Sequence, residues 1–190
     1  MSRLLRRGFV ALVPPAEVLD HVEMAVVPLR EEFPRLRWTP RAQWHLTLQF
    51  LGPVPDVDAL VEAVHAGVSG IAPFTVRLGG GGAFAKSSSA TVLWFGAAEG
   101  GDATGTLGGA VSDATAALGY VADERPFRAH LTLARAARPT DLRGAIAALD
   151  AAGPSPEWTA SEVVLFESDT RPDGAVHTVI ARVPLADQGS

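Results

Sequence analysis

The tetrapeptide His-Leu-Thr-Leu occurs twice in this chain, at residues 45–48 and 130–133. The copies lie 85 residues apart, too far for a solenoid repeat and suited to a duplicated lobe. Their surroundings repeat as well. An apolar run, Phe9–Val13, begins 36 residues before the first His, and Val92–Gly96 begins 38 residues before the second. Each run leads into a helical stretch, Ala16–Glu32 and Thr104–Leu118. After each tetrapeptide comes another stretch of helical periodicity, Asp56–Val68 and Thr140–Ala151, with Asp56 and Thr140 as N-caps. Strand-like segments follow at Phe74–Leu78 and Thr159–Phe166. Both halves therefore read strand–helix–strand–helix–strand.

That symmetry predicts an α+β chain, one bilobal pseudo-twofold domain over residues 1–190, with two mostly antiparallel sheets flanking a cleft and helices outside. Two more strands fit the pattern. Ala90–Gly96 is expected to pair with Val76–Leu78 across a flexible, glycine-rich Gly79–Gly82 and a tip at Lys86–Ser89. Ala175–Leu185 is expected to form a hairpin with Glu162–Glu167 through the turn Arg171-Pro172-Asp173-Gly174.

Composition narrows the chemistry. The chain has no cysteine, which excludes disulfides, thiolate metal sites and a cysteine nucleophile. Its net charge of −5 argues against nucleic-acid binding by bulk positive charge, though a local basic cleft remains compatible. Of 16 cations, 15 are Arg and one is Lys86. Gly79–Gly82 lacks the GK[ST] ending of a phosphate loop, no H-E-x-x-H is present, and Ser87–Ser89 is no nucleophile elbow. Phe9–Val13 is too short for the apolar core of a signal peptide, and no run reaches the length of a membrane span. A cytoplasmic monomer with no metal, no cofactor and no membrane contact is the expectation.

In a strand, alternate residues share a face. His45, Thr47 and Gln49 then point one way, and Leu46, Leu48 and Phe50 point into a core. In the second copy His130 and Thr132 share a face, with Leu131 and Leu133 behind. A pseudo-twofold brings the two His-Thr faces together across one cleft. Two imidazoles can divide acid and base roles near neutral pH, and two hydroxyls can donate to phosphate oxygens. Such a pair titrates as a coupled unit and gives a bell-shaped pH profile.

These residues resemble the two-histidine (2H) phosphoesterase superfamily and, within it, the RNA 2′,3′-cyclic phosphodiesterases, the 2′-5′ RNA ligase-like (LigT-like) family. The resemblance rests on GFVALVPP, WHLTLQFLGPV at 44–54, Gly82-Ala83-Phe84, VLWFG, GYVADERPFRAHLTLAR at 119–135, LFES and ARVPL. It implies metal-independent hydrolysis of a 2′,3′-cyclic phosphate, on an RNA 3′ end or a small nucleotide, to a 2′-phosphomonoester. His45 is then the acid toward the leaving 3′ oxygen and His130 the base. Thr47 and Thr132 hold the phosphate, and reversible 2′–5′ joining is a side reaction of some relatives. Arg135 matches the Arg that often ends the second motif, but strict alternation places it away from His130 unless the strand bulges. Phe9, Phe84 and His177 are candidate substrate-wall residues. The usual Pro before the second His is Ala129 here, and the late Gly-x-x-aromatic pattern ends in His177. Rival readings are a phosphodiesterase for 2′–5′ oligonucleotides or ADP-ribose cyclic phosphate, and an RNA-end-binding module without turnover.

The remaining candidates have plainer readings. His21 and His65 fall on helix faces with no partner at ligand spacing. Trp38, Trp44, Trp94 and Trp158 flank strands as packing residues. Arg125 and Arg128, in a charged approach to the second motif, are candidate phosphate contacts.

Overall fold

The computed structural model describes residues 4–123, 125–171 and 174–186. In chain order its elements are β1 (Leu5–Leu12), α1 (Ala16–Glu32), β2 (Arg37–Trp38), a 3-10 turn (Arg41–Gln43), β3 (Leu46–Val54), α2 (Val57–Val68), β4 (Phe74–Lys86), β5 (Ser89–Glu99), α3 (Gly101–Ala116), β6 (His130–Thr140), α4 (Arg143–Ala151), β7 (Trp158–Ala160), β8 (Glu162–Arg171) and β9 (Gly174–Pro184).

Local chemistry sets the helices. In α1 an apolar stripe of Val18, Val22, Val26 and Leu29 is buried. Asp56 caps α2 by accepting from Ala59 N at 3.1 Å. Thr140 does not cap α4. It ends β6, and Asp141 Oδ1 accepts from Arg143 N at 3.1 Å where α4 begins. The strand expected over Thr159–Phe166 breaks at Ser161, whose carbonyl accepts from Leu185 N. The pieces on either side, β7 and β8, join different neighbours.

Among the described residues one nine-stranded sheet has the order β7-β4-β5-β6-β3-β1-β8-β9, with β2 beside β6. The order is symmetric about the junction of β6 and β3. The two expected sheets are thus halves of one curled sheet, joined edge to edge at the antiparallel pair Leu46–Leu131. The sequence halves also exchange strands. β4, from the first half, pairs with β5, and β8, from the second, pairs with β1. Helices cross in the same way, α1 against α4 and α2 against α3. Leu46 and Leu131 are fully buried beneath this joint.

Gly79–Gly82 is not a flexible loop. It lies within β4, and the hairpin to β5 closes at Lys86–Ser89. The glycines are there for close approach. A Cβ on Gly82 would come within 1.9 Å of the Trp94 ring, and one on Gly81 within 2.8 Å of the Ile146 carbonyl oxygen of α4. The β8–β9 hairpin forms as expected, from Glu162–Pro184 to Arg171–Gly174. Pro172 and Asp173 of its turn lie outside the described residues, as does the tail Asp187–Ser190. No described helix is long and apolar enough to cross a membrane.

Removing the Leu131 side chain at the joint should cost about 2–5 kcal/mol, the range for a fully buried Leu→Ala. Urea unfolding of Leu131→Ala checks this, and a loss below about 1 kcal/mol would show that the joint is not a packing centre.

Candidate active site

The register at Leu46–Leu131 places His45 opposite Thr132 and Thr47 opposite His130. Both leucines go into the core, so the four polar residues share the other face. His45 and His130 are each partly buried.

The two rings are held alike. His45 Nδ1 lies 2.7 Å from the Gln43 carbonyl oxygen, and His130 Nδ1 lies 2.7 Å from that of Arg128. A carbonyl oxygen only accepts, so each Nδ1 must carry its hydrogen. Each Nε2 is then the site that gains or loses a proton. His45 Nε2 sits 3.0 Å from Thr47 Oγ1, whose hydroxyl donates to it when the ring is neutral. Ala129, in place of the usual Pro, is buried and leaves the Nδ1 contact of His130 as short as that of His45.

The surroundings of the rings differ. His45 packs against Phe9 at 4.8 Å between centroids, Phe166 at 6.1 Å and His177 at 5.2 Å. Phe9 is only 3% exposed and stacks on Phe166, so it forms a floor under His45. His130 meets Phe84 edge-on at 5.0 Å and Trp94 at 6.1 Å. Phe84 is 37% exposed beside it. Trp94 is buried, as expected of a packing residue, yet it lies on the His130 face with the Arg128 guanidinium 5.4 Å from its ring centroid.

Charge state follows from burial. Desolvation, then the neighbouring His177 and finally His130, lower the pKa of His45 to about 4 despite the opposing Gln43 bond. Desolvation first, then Arg135 and Arg128, lower that of His130. Desolvation lowers that of His177.

Two bulges correct the alternation expected from sequence. The β1–β3 register shifts between Val10–Gln49 and Ala11–Thr47, leaving Leu48 as the extra residue. Gln49 therefore turns into the core, 5% exposed, and accepts from Thr115 Oγ1 of α3 at 2.9 Å. Phe50 turns outward on the Phe9 side, 72% exposed and 6.0 Å from the Phe9 ring. The β5–β6 register shifts at the equivalent place, between Leu93–Ala134 and Trp94–Thr132, leaving Leu133 extra. Leu133 and Ala134 are both buried, so Arg135 emerges on the face of Thr132. The same device thus adds an aromatic ring to one lobe and a guanidinium to the other.

Sequence reading missed Phe50 and Gln43. Gln43 orients His45 through its carbonyl, and its side-chain amide donates to Ala175 O on β9, two residues before His177. No motif marks it, because a backbone carbonyl orients the ring whatever the side chain, and the side chain's partner is 132 residues away. The plain readings hold for His65, which is exposed, and for Trp44 and Trp158, which are buried. His21 instead bridges α1 to Gly153 O at 3.1 Å. Arg125 pairs with Asp123 at 2.5 Å. Among the described residues no group of three or more His, Asp, Glu or Cys could hold a metal ion.

These charge states make a direct prediction. NMR titration of the free protein should show His45 in the Nδ1–H tautomer and neutral down to about pH 4. Inorganic phosphate should raise that midpoint, and so should His177→Phe. Because the folded pKa lies below the unfolded one, this group lowers stability as pH falls from 6.5 toward 4. A His45 midpoint at or above 6.5 would contradict the burial account.

The chain is similar to known proteins in sequence and in fold. The sequence profile of the 2′-5′ RNA ligase superfamily matches residues 14–172. A protein named RNA 2′,3′-cyclic phosphodiesterase from Thermus thermophilus is 30% identical over 190 aligned residues, covering 94% of this chain and 90% of its own. One of the same name from Geobacillus stearothermophilus is 29% identical, covering 91% of this chain, which spans only 55% of that relative's length. The crystal structure of a Thermus thermophilus protein superposes with a TM-score of 0.73 at 28% identity, covering 96% of this chain and all of the other. Escherichia coli LigT, crystallised with NADP+, shares the fold with a TM-score of 0.71 at 22% identity, covering 96% of this chain and 99% of the other. The paired H-x-T-x strands, the duplicated sheet and a profile match over most of the length have one explanation: the chain belongs to the 2′-5′ RNA ligase superfamily of two-histidine phosphoesterases.

Proposed function

We propose that this chain hydrolyses 2′,3′-cyclic phosphates to 2′-phosphomonoesters by acid–base catalysis between His45 and His130, without a metal. The observation that carries the reading is the matched pair of imidazoles. Each has Nδ1 tied to a backbone carbonyl, which leaves Nε2 as its titrating atom. The names of the relatives from Thermus and Geobacillus support the substrate class.

A cyclic phosphate between the lobes would meet both Nε2 atoms. His130 Nε2 takes a proton from water as the water oxygen bonds to phosphorus. The bond from phosphorus to the 3′ oxygen breaks, and His45 Nε2 gives that oxygen its proton. The two rings exchange charge states and re-equilibrate with solvent. Thr47 and Thr132 donate to the non-bridging oxygens, and Arg135 offsets the charge that gathers there. The low pKa of His45 makes it a strong acid. The substrate's negative charge raises the charged fraction of that ring on binding. Phe84 and Phe50 offer exposed aromatic faces for a base, while Phe9 acts from beneath by supporting His45. His177 flanks the acid and tunes its charge.

The test is hydrolysis of a nucleoside 2′,3′-cyclic phosphate in EDTA, with the product isomer resolved by chromatography. Turnover should persist and yield the 2′-phosphate. His45→Ala and His130→Ala should each lose about 10²-fold or more. Activity abolished by EDTA, or a 3′-phosphate product, would overturn the assignment. Binding without turnover would leave an RNA-end-binding module.

The pH profile gives a second test. Both histidines titrate below 6.5 in the free protein, so the bell in kcat/KM should centre below pH 6.5 and fall as pH rises past it. An optimum near pH 8 would contradict these roles.

A further inference from the structure

Beside Arg135 lies a second cation, Arg37, that catalysis at the cyclic phosphate leaves unused. Arg37, on the short strand β2, is the direct cross-strand partner of Arg135 on β6. Their neighbours in the same pairing, Trp38 and Ala134, go to the core: Ala134 is fully buried, and Trp38 donates its indole N–H to Phe33 O at 3.3 Å. Arg37 and Arg135 therefore share the opposite face, the one that carries Thr132 and His130. Both are exposed.

This arrangement is costly in isolation. Like charges directly opposite on adjacent strands destabilise the pairing. Six other arginines of the described chain pair with carboxylates. Arg37 and Arg135 have no carboxylate partner among the described residues. Two cations paired across adjacent strands would be relieved by an anion beside them, and a phosphodiester supplies one. Arg135 is near enough to act electrostatically on His130. Arg37 lies on the same edge of β6 as β3, displaced along β6 from Leu131 to Arg135, so it extends the basic surface of Arg135 away from His130.

We propose that Arg37 binds the internucleotide phosphate preceding a terminal cyclic phosphate, with Arg135 between it and the reacting phosphate, so that the site favours the end of an oligoribonucleotide over a mononucleotide. The proposal rests on the hydrolase reading for which phosphate is terminal, but its test does not depend on turnover. A net charge of −5 is no obstacle, because the attraction is local.

The experiment compares binding of a trinucleotide ending in a 3′-phosphate with binding of a nucleoside 3′-monophosphate, at two salt concentrations. Wild-type protein should favour the trinucleotide by about tenfold or more, and Arg37→Ala should erase most of that advantage. The slope of log K against log salt for the trinucleotide should shrink by about 0.7 in Arg37→Ala and much less in Arg37→Lys, which keeps the charge. Near-UV circular dichroism would show that the variants are folded. A trinucleotide advantage that is absent in the wild type, or unchanged in Arg37→Ala, overturns the proposal. Loss of the advantage in a chain that hydrolyses nothing would keep this site and remove the hydrolase reading. Hydrolysis with no Arg37-dependent advantage would do the reverse.

Discussion

The whole site hangs on one contact, the antiparallel meeting of β3 and β6 at Leu46 and Leu131. Each leucine faces a shared core, and that burial fixes the register. A slip of one residue would turn one strand over, sending its His-Thr set into the apolar interior and bringing its leucines out. Hydrophobic burial thus decides which face the two His-Thr sets occupy. The exchange of β4 and β8 between the halves, with the crossed packing of the helices, keeps the joint closed.

On that frame, the two bulges do what regular strands could not. An unbroken strand would put Phe50 and Arg135 on the helix side. With Leu48 and Leu133 as extra residues, each strand buries two successive side chains and turns the next one out. The two lobes use this device to opposite chemical ends, a ring in one and a cation in the other. The asymmetry continues around the histidines. His45 lies on stacked phenylalanines beside another imidazole, while His130 lies near two guanidiniums. Both settings disfavour a charged ring in the free protein, and an anion bound between them would favour one.

Much of this was legible in the sequence. The doubled His-Leu-Thr-Leu and its repeated flanks were enough for the duplicated fold and for the shared face of His45, Thr47, His130 and Thr132. Period-2 alternation failed at Gln49, Phe50 and Arg135, because a bulge inserts a residue without leaving a mark in composition. The glycines of β4 read as a flexible loop because glycine signals both freedom and close approach. Only the Trp94 ring lying over Gly82 decides between them. Thr140 looked like a cap, but Asp141, one residue on, supplied the acceptor. Gln43 and Arg37 were invisible for another reason. Their partners across the fold, Ala175 and Arg135, are 132 and 98 residues away in sequence.

The central claim is that the two imidazoles act as one unit on one phosphate. The most direct measurement is kcat for a nucleoside 2′,3′-cyclic phosphate in His45→Ala, His130→Ala and the double variant. If the rings are partners in a single step, losing either leaves the other with little to do, and the double variant should be within a few-fold of the slower single variant. Losses that multiply in the double variant would mean that the two histidines contribute independently, and would contradict the account.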